Sequence, residues 1–368
     1  MTKIYYIAEI TLPNTSAQAQ HVLKMCDNFS NHYNTKLILL YKKRKYFFKK
    51  IKYDFFLRNV FEIIPFYKNI KFINFFDRIK FALFACKNIE KNCLIITRSP
   101  IVSFLLAIKG YTHFLEIHHE LKGFSNLFFF FIKKTSILNK IYFIFTHKNL
   151  IKILDINKNF LILDDAVDIE DFKIKKNKIN MIYDCTYIGS FYKGRGLEVI
   201  DYLSKKFEKL NFHLFGDLNT LSSEYKNYFS NNVIFHNFVP YRQVVKVISR
   251  SKILLMPYLN SIHVRSKNLD TSKTMSPMKM FQYLASKRIF IASKLKVYSH
   301  ILKNEFNCLL ASPNNFLDWK RKMEYIINNE VNIRRITQNA KKTANIYTWN
   351  KRVKKIIEKY NSINATID

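Results

Sequence analysis

The sequence predicts an α/β protein made of two Rossmann-like domains, each built on a parallel β-sheet. Its 368 residues are enough for two hydrophobic cores. Short apolar runs typical of buried strands alternate with amphipathic runs typical of helices, and this alternation occurs in two series. A charged, irregular stretch from Ile169 to Lys178 separates the two series. We therefore expect an N-terminal domain over residues 1–172, a second domain over 173–345, and a helix over 346–368 that returns to the first domain.

The composition indicates a globular protein that is attracted to phosphate-rich partners. Hydrophobic residues make up 48% and aromatic residues 16%, which excludes extended disorder. Lys and Arg number 61 against 27 Asp and Glu, a formal net charge of +34. This excess favours nucleic acid, an anionic membrane surface or a phosphorylated small molecule as a partner. The abundance of Lys, Asn, Ile and Phe also indicates an AT-rich genome, so part of the basicity reflects codon bias.

The cysteines and the apolar runs favour a cytoplasmic protein. Five cysteines, an odd number, lie in apolar surroundings without a CxxC pattern, so we expect free thiols rather than disulfides or zinc. The first residues are typical of a strand rather than of a signal peptide. The most apolar run, Leu127 to Ile132, is six residues long, whereas a bilayer span needs about 20.

The N-terminal half begins with a strand, a polar loop and a helix, which together start a βαβ unit. The helix covers Ala17 to Phe29, and further apolar runs continue the sheet. The predicted strands are Ile4–Ile10, Leu37–Tyr41, Cys93–Thr97, Thr112–Ile117 and Ile141–Thr146.

A stretch from Lys42 to Lys50 alternates cations with aromatic rings, as segments at a membrane interface do. Phe55–Leu57 and Phe75–Phe76 add apolar surface. The alternative is a solvated loop in which the aromatic residues are incidental. Contact with an anionic membrane surface is therefore one hypothesis for this half of the chain.

Titratable residues cluster at the end of the predicted strand Thr112–Ile117, in the run from Glu116 to Glu120. Open α/β sheets bind ligands beyond the carboxyl ends of their strands. His118, flanked by carboxylates, is therefore a candidate site residue. The alternative is a structural histidine.

The second half shows the same alternation without a detectable sequence repeat. The predicted strands are Asp184–Ile188, Phe212–Phe215, Val233–Phe235, Ile253–Pro257, Ile289–Ala292 and Cys308–Ala311. The predicted helices are Leu197–Phe207, Arg242–Ser249, Tyr298–Leu302, Asn315–Asn328, Val331–Ala344 and Thr348–Tyr360.

Three of the six glycines lie in one loop, Gly189 to Gly196. In a chain with so few glycines, this concentration indicates a backbone that turns tightly or approaches a ligand closely. Arg195 in the same loop supplies a planar fork that matches phosphate. The loop is neither a Walker A motif nor a GxGxxG fingerprint.

The stretch from Thr274 to Ala285 predicts a helix that begins at an anion site. Ser276 is expected to cap this helix, and Pro277 to occupy its first turn. The N–H groups at that end, the helix dipole and Lys279 favour an anion such as a phosphate. The alternative is an ordinary capped helix that packs on a sheet.

Taken in order, these motifs resemble those of GT-B-fold glycosyltransferases of the group 1 type, also called glycosyltransferase family 4. The likeness covers the second half well and the N-terminal half more loosely. The segments that carry it are Ile188–Ser190, Lys193–Gly196, Phe235–Pro240, Leu255–Tyr258 and Ser276–Ala285, with Leu12–Asn14, Glu116–His118 and Asp164–Asp168 in the first half.

The resemblance implies two domains facing across a cleft, with an acceptor bound by the first and a nucleotide-sugar by the second. The implied catalytic residues are Arg195 and Lys279, which would neutralise the diphosphate, and His118, which would lie near the transferred sugar. The implied donor-binding residues are Gly189, Ser190, Gly194, Gly196, Val239, Thr274, Ser276, Pro277, Met278 and Gln282. The implied acceptor-side residues are Pro13, Asn14 and Glu116. Since fixed cations can stabilise the leaving diphosphate and no suitable DxD pair is present, we expect no metal and no cofactor besides the nucleotide-sugar.

Two positions depart from the family pattern. Gln282 stands where the family usually has Glu, and Thr274 where it often has a second Glu. A carboxylate accepts hydrogen bonds from both ribose hydroxyls, whereas an amide accepts at one end and donates at the other. Loss of the charged acceptor costs about 1.5 to 3 kcal/mol of donor binding. The alternative for Gln282 is a plain surface position on the helix.

We therefore predict a bacterial glycosyltransferase that moves a sugar from a nucleoside diphosphate-sugar to a surface glycan such as capsule or lipopolysaccharide, free or lipid-linked. The resemblance implies a retaining, metal-independent enzyme. Together with the basic, aromatic surface of the N-terminal half, it predicts a protein that is either cytoplasmic or peripheral at the inner face of the membrane. The alternative is a catalytically inactive relative that binds a nucleotide-sugar or a glycan as an assembly partner. Nucleic acid is the least favoured partner, because the sequence contains no helix-turn-helix, zinc or ribonucleoprotein motif.

Overall fold

The structure, a computed structural model, describes residues 3–14, 16–41, 48–67, 74–173, 180–222, 225, 229–263 and 270–365. The chain forms two compact units. Unit 1 comprises Met1–Asp164 and Trp349–Asp368, and unit 2 comprises Asp165–Thr348. The boundary expected at residue 172 falls at residue 164, because Ile169 and Phe172 pack against the hydrophobic core of unit 2.

Unit 1 contains a seven-stranded sheet in which all neighbouring strands are parallel. Its strands are β1 (Lys3–Leu12), β2 (Asn34–Tyr41), β3 (Glu62–Tyr67), β4 (Leu94–Thr97), β5 (His113–Ile117), β6 (Ile141–Phe145) and β7 (Phe160–Ile162). The strand order is β3-β2-β1-β4-β5-β6-β7. β4 and β5 are buried at every position, as is typical of parallel strands that are covered by helices on both faces.

Unit 2 contains a six-stranded parallel sheet of the same type. Its strands are β8 (Tyr183–Ile188), β9 (Phe212–Phe215), β10 (Val233–His236), β11 (Ser251–Met256), β12 (Ile289–Ser293) and β13 (Leu309–Ala311). The strand order is β10-β9-β8-β11-β12-β13. The predicted fold class, two α/β domains with parallel sheets, is therefore confirmed.

Helices connect most of these strands. They are α1 (Ala17–Phe29), α2 (Phe48–Asp54), α3 (Phe75–Lys87), α4 (Pro100–Ile108), α5 (Gly123–Lys134), α6 (Asn149–Leu154), α7 (Leu197–Lys206), α8 (Tyr241–Ser249), α9 (Met278–Ala285), α10 (Phe316–Asn328), α11 (Glu330–Ala344) and α12 (Trp349–Asn364). The last helix, α12, belongs to unit 1, where it packs against α1.

Each sheet has a point where the chain reverses its direction of winding. In unit 1 this point lies between β1 and β4, and in unit 2 it lies between β8 and β11. Ligands of open parallel sheets bind beyond the carboxyl ends of the strands at such a point. The loop at Pro13 and Asn14 follows β1, and the loop that begins at Gly189 follows β8. The fold thus places both predicted loops at favourable positions for a site.

Several elements were not found from the sequence. Strand β3 and helices α2, α3 and α5 were not predicted, and the helix expected at Tyr298–Leu302 is a short 3-10 helix at Lys296–Tyr298. Within the stretch expected to be an irregular linker, Ile169–Phe172 also forms a 3-10 helix. Residues 42–47 of the basic aromatic stretch and residues 174–179 of the expected linker lie outside the described residues.

All five cysteines lie in the described residues, and each is buried and free of a disulfide, as predicted. Burial raises the pKa of the thiols of Cys26 and Cys185, so these groups stay protonated at neutral pH. No helix among the described residues is both long enough and apolar enough to cross a bilayer.

Candidate active site

The glycine-bearing loop after β8 lies against the segment that follows β11. The Leu259 N–H donates a hydrogen bond of 3.0 Å to the Gly194 carbonyl. A Cβ atom on Gly194 would lie 1.9 Å from the Ser261 carbonyl oxygen, and one on Gly196 would lie 1.6 Å from the Pro257 carbonyl oxygen. Both glycines also have positive φ angles, +83° and +79°. Only glycine fits at these positions, which explains the glycine concentration in the loop.

Gly189 leaves space for a lysine from another part of unit 2. A Cβ atom on Gly189 would lie 2.5 Å from the Lys279 Nζ and 2.9 Å from the Tyr187 hydroxyl oxygen. The Tyr187 hydroxyl donates a 2.7 Å hydrogen bond to the Ser190 carbonyl. The loop therefore surrounds the Lys279 ammonium with backbone and aromatic groups.

The Lys279 Nζ atom is buried and has no hydrogen-bond partner among the described residues. It lies 4.3 Å from the centre of the Tyr187 ring and 5.0 Å from that of Tyr258. Aromatic faces attract a cation, but they do not replace its hydrogen bonds. Burial, with a further contribution from the Arg195 charge, lowers the pKa of Lys279 well below its ordinary value.

Arg195 lies against the same Tyr258 ring as Lys279, and part of its guanidinium also lacks a hydrogen-bond partner. Its Cζ atom lies 5.2 Å from the centre of the Tyr258 ring, and its Nη2 donates a 3.3 Å hydrogen bond to the His263 carbonyl. Its buried Nε has no partner among the described residues. Two cations therefore lie together, and no ion pair in the described part of the chain involves either. A diphosphate would supply the missing charge and acceptors.

Helix α9 begins one residue later than predicted. Pro277 is its N-cap residue, without a side-chain capping bond, and Met278 is its first residue. The prediction that Ser276 caps the helix is wrong, because its hydroxyl accepts a 2.9 Å hydrogen bond from the Asp165 N–H. The first N–H groups of a helix have no partner within it. Those of Met278 and Lys279 are thus not capped by a serine, and they remain suitable for an anion.

The other predicted donor-binding residues have different degrees of burial. Gln282 is 7% exposed and Thr274 is 3% exposed, so the alternative that Gln282 is a plain surface residue is wrong. The Thr274 N–H donates a 3.1 Å hydrogen bond to the Thr271 carbonyl, which orders the turn before α9. Val239 is half-buried in the loop between β10 and α8.

A second polar cluster lies in unit 1, around the carboxylate of Glu116 on β5. The Tyr6 hydroxyl and the Arg352 guanidinium donate to this carboxylate. His21 Nε2 and His118 Nε2 lie 3.0 Å and 3.1 Å from its Oε1 atom. Although burial raises the pKa of Glu116, the adjacent His21 and Arg352 outweigh it and hold this pKa well below its ordinary value. Glu116 is therefore a buried carboxylate anion.

Both oxygens of Glu116 have partners within the protein, so this residue is placed to orient His118 rather than to contact an acceptor. The side chain of His118 is 16% exposed. Burial and the charge of Arg98 lower the pKa of His118 to about 3, so the ring is neutral at pH 7. The buried Nε2 atom of His118 lies close to the Glu116 carboxylate without an aligned hydrogen bond to it. A neutral imidazole has one donor and one acceptor nitrogen, so one ring nitrogen of His118 is a hydrogen-bond acceptor.

His21, Glu116 and His118 also have the side-chain types of a metal site. Their ligand atoms lie within 4.8 Å of one another. However, the Arg352 guanidinium binds the same carboxylate, and its positive charge disfavours a metal cation at this point. The group fits a hydrogen-bonded cluster better than a metal centre.

Pro13 and Asn14, the predicted acceptor-side residues, are exposed in the loop after β1. The Asn14 Oδ1 accepts a 2.8 Å hydrogen bond from the Ser16 N–H. Ser16 in turn caps α1 by accepting from the Ala19 N–H. Asn14 thus shapes the turn at which α1 begins.

Comparisons with known proteins bear on the fold. Residues 197–358 match the family described as Glycosyl transferase-like. A glycosyltransferase from Rickettsia africae has a similar structure, with a TM-score of 0.72 at 15% identity over 98% of both chains. The chain has the GT-B glycosyltransferase fold. The predicted GT-B fold is confirmed, and part of the chain, most of it in unit 2, matches a glycosyltransferase family model. Glycosyltransferase activity and membership of family 4 stay predictions.

Two further GT-B structures were solved with ligands. Anabaena HepE in complex with UDP-glucose has a TM-score of 0.70 at 11% identity, over 98% of this chain and 100% of that one. A variant of S. aureus TarM in complex with fondaparinux, alpha-GlcNAc-glycerol and UDP has a TM-score of 0.72 at 12% identity, over 98% of this chain and 99% of that one. Comparison of the sequence with curated proteins gave no significant match.

Sequence reasoning missed several residues of this GT-B protein. Tyr187 and Tyr258 surround the cations in unit 2, and Tyr6, His21 and Arg352 hold Glu116 in unit 1. Arg352 could have been recognised from the sequence, because it is the one charged residue on the buried, otherwise apolar face of α12. No local signal distinguishes His21, since α1 is buried throughout from Ala19 to Phe29.

Proposed function

We propose that this GT-B protein transfers a sugar from a nucleoside diphosphate-sugar to a surface-glycan acceptor, which can be lipid-linked. The observation that carries the proposal is the pair of cations in unit 2. Lys279 Nζ and Arg195 Nε are both buried without hydrogen-bond partners in the described residues, beside the start of α9. An anion with several oxygens that converge on this point satisfies both groups and the helix N-terminus together.

The same groups account for the chemistry of the donor. When the bond between the sugar and the diphosphate breaks, negative charge grows on the leaving diphosphate. Lys279 and Arg195 are fixed in position by Tyr187, Tyr258 and the glycine loop, so they stabilise this charge without reorganising. These two cations can take the role of a metal ion at the diphosphate, which supports a metal-independent reaction. Retention of configuration is proposed from the family resemblance alone.

His118 is proposed to contact the transferred sugar or the acceptor. Its neutral ring lies beside Glu116 and presents one ring nitrogen as an acceptor for a hydroxyl proton. Gln282, which lies on α9 in unit 2 and is 7% exposed, is proposed to bind the ribose by one accepted and one donated hydrogen bond.

UDP and UDP-glucose are the first ligands to test, because the HepE and TarM structures contain them. Isothermal titration calorimetry is expected to show binding of UDP to the wild type. The K279A and R195A variants are expected to bind at least about tenfold more weakly, the effect of losing one charged hydrogen bond. K320A and R334A, on the exposed surfaces of α10 and α11, are matched controls and should bind as the wild type does.

Full UDP affinity in both K279A and R195A would overturn the site assignment. If UDP does not bind, the other nucleoside diphosphates are tested in the same way, since the proposal commits to a diphosphate more strongly than to a base. Product analysis by NMR then tests retention, and dialysis against a chelator tests metal independence.

A second candidate function is an inactive relative that binds a nucleotide-sugar or glycan as an assembly partner. Gln282 and Thr274 favour it, because both replace carboxylates of the family pattern. Donor hydrolysis or transfer by the wild type would exclude this candidate. If the wild type binds UDP without turnover and the Q282E variant gains turnover, the inactive relative is the better description.

A further inference from the structure

Unit 1 exposes large apolar side chains on two neighbouring helices, α3 and α5. We call this set the aromatic face. Its members and their exposed fractions are Phe76 71%, Leu83 52%, Phe124 49%, Leu127 46%, Phe130 52% and Phe131 45%. Scattered exposed apolar residues are normal, but a contiguous group of this kind marks an interaction surface.

The aromatic face is continuous from one helix to the other. The Phe75 ring centre lies 4.3 Å from that of Phe124 and 5.8 Å from that of Phe76. The Phe130 and Phe131 ring centres lie 6.0 Å apart. Rings that contact one another across the two helices form one surface rather than two isolated patches.

These side chains are exposed because both helices bury their other sides. On α3 the buried residues include Phe81 and Ala85, and on α5 they are Phe129 and Ile132. Phe128 of α5 is partly buried and also packs against the core. Phe124 and Phe131 contact the rings of Phe75 and Phe104 at their edges, yet about half of each side chain is exposed.

Lysines lie within the aromatic face, and accessible carboxylates do not. Lys80 and Lys87 share the exposed side of α3 with Phe76 and Leu83, at the spacing of one helical face. The Lys134 Nζ lies 5.8 Å from the centre of the Phe130 ring. Helices α3, α4 and α5 contain one carboxylate, Asp77, which is buried in the capping box at the start of α3.

We propose that the aromatic face docks on an anionic lipid bilayer, with its rings at the level of the lipid headgroups and its lysines on the lipid phosphates. Apolar rings mixed with cations on helices that lie along the surface are what such an interface binds. The sequence suggested membrane contact mainly at residues 42–50. Residues 42–47 of that stretch lie outside the described residues, and the structure assigns a further contact to α3 and α5, of which Phe75 and Phe76 alone were considered.

A second copy of this chain is the less favourable occupant of the aromatic face. In a symmetric dimer the same patch meets itself. Lysines of α3 and α5 would then approach lysines of the partner, and the one carboxylate of these helices, Asp77, is buried in the capping box. Like charges at an interface are unfavourable.

The test compares binding of the full chain to phosphatidylcholine vesicles with and without phosphatidylglycerol, by cosedimentation. The variant F76S/F124S/F130S/F131S removes four rings of the aromatic face. The matched control F306S/L317S/V331S removes three exposed apolar side chains of unit 2, which are 51%, 58% and 83% exposed. All seven positions are exposed, so both variants are expected to fold, and thermal unfolding verifies this.

The wild type and the control are expected to bind the anionic vesicles, and the aromatic-face variant at least about tenfold more weakly. Binding should also weaken when phosphatidylglycerol is omitted or salt is raised. Absence of vesicle binding by the wild type would overturn the proposal. So would equal binding by the wild type and the aromatic-face variant.

A gain-of-signal variant tests the depth of insertion. Both native tryptophans, Trp319 and Trp349, are buried at 0% and 1% exposure. The F131W variant adds an indole at the aromatic face, and lipids brominated on their acyl chains are expected to quench its fluorescence. Fluorescence as strong as with unbrominated lipids would contradict insertion of the rings.

This proposal rests on the proposed function in one respect, namely that docking would bring the enzyme to a lipid-linked acceptor. UDP titration of the aromatic-face variant separates the two, because the cations of unit 2 are untouched. Normal UDP binding without any vesicle binding overturns the docking surface alone. The occupant would instead be a second copy of the chain if two results were obtained together. The wild type would not bind vesicles, and its mass would rise with concentration whereas that of the aromatic-face variant would not.

Discussion

Replacement of Lys279 by Met is expected to stabilise unit 2 while it removes donor binding. The Lys279 Nζ is buried without a hydrogen-bond partner in the described residues, and a buried polar group in this state costs about 1 to 3 kcal/mol. Met keeps the unbranched shape of the side chain and makes favourable sulfur contacts with the rings of Tyr187 and Tyr258. Since each kcal/mol shifts the midpoint of a domain of this size by about 2 to 4 °C, we expect a rise of about 2 to 12 °C.

The pH dependence of this gain follows from the pKa. The pKa of Lys279 in the folded protein is well below its ordinary value of 10.5, so the unfolded chain binds more protons between the two values. Wild-type stability therefore rises with pH across that window. The part of the K279M advantage that comes from burial of the charge is largest below the lowered pKa and disappears as pH approaches 10.5. The part that comes from the missing hydrogen bonds remains, because the neutral amine lacks them too.

Thermal unfolding with and without UDP measures both effects. UDP should raise the unfolding midpoint of the wild type but not that of K279M, because ligand binding to the folded state stabilises it. K320M, on the exposed surface of α10, is the matched control and should change stability by less than about 0.5 kcal/mol. A lower midpoint in K279M, or an undiminished shift by UDP, would refute the reasoning.

Three further predictions concern the same clusters. The affinity of the wild type for UDP should fall by up to about tenfold per pH unit above the lowered pKa of Lys279. Calorimetry in buffers of different ionisation enthalpy should detect a proton taken up on UDP binding. The K279R variant should take up no such proton. Gly189→Ala places a Cβ atom 2.5 Å from the Lys279 Nζ. The same Cβ atom would lie 2.9 Å from the Tyr187 hydroxyl, at a φ angle of +156° that strains any residue but glycine. The variant should therefore weaken UDP binding by about tenfold and also lower stability by about 1 to 3 kcal/mol, and calorimetry with thermal unfolding checks both. Arg352→Met leaves the buried Glu116 carboxylate without its main cation and should destabilise unit 1 by about 3 to 5 kcal/mol. The double variant E116Q/R352M should recover part of this loss in thermal unfolding, and equal losses in both variants would contradict the ion pair.

Elements with a clear local pattern could be predicted from the sequence. The strand and helix alternation gave both sheets, because short apolar runs between amphipathic segments have few other folded arrangements. The glycine loop could also be found, since the need for glycine at Gly194 and Gly196 is a local property of the backbone. Helix α5 was missed because the run from Leu127 to Ile132 is apolar on all sides, whereas amphipathic periodicity requires a polar side.

The remaining features depend on partners that are distant in the sequence. Ser276 was expected to cap α9, but its hydroxyl is taken by the N–H of Asp165, 111 residues away. Arg352 and Glu116 are 236 residues apart. Such pairs are set by how the sheets and helices pack, and no spacing rule within one segment reveals them.

The pairing of Glu116 with Arg352 also affects how the protein is made. Unit 1 takes its last helix from the part of the chain that is synthesised after unit 2. Until the ribosome has released residue 352, the carboxylate that orients His118 lacks its guanidinium partner, and burial of that unpaired charge is unfavourable. A nascent chain that contains only the first 164 residues should therefore not order this cluster. Translation thus completes unit 2 before the histidine of unit 1 can reach its final position.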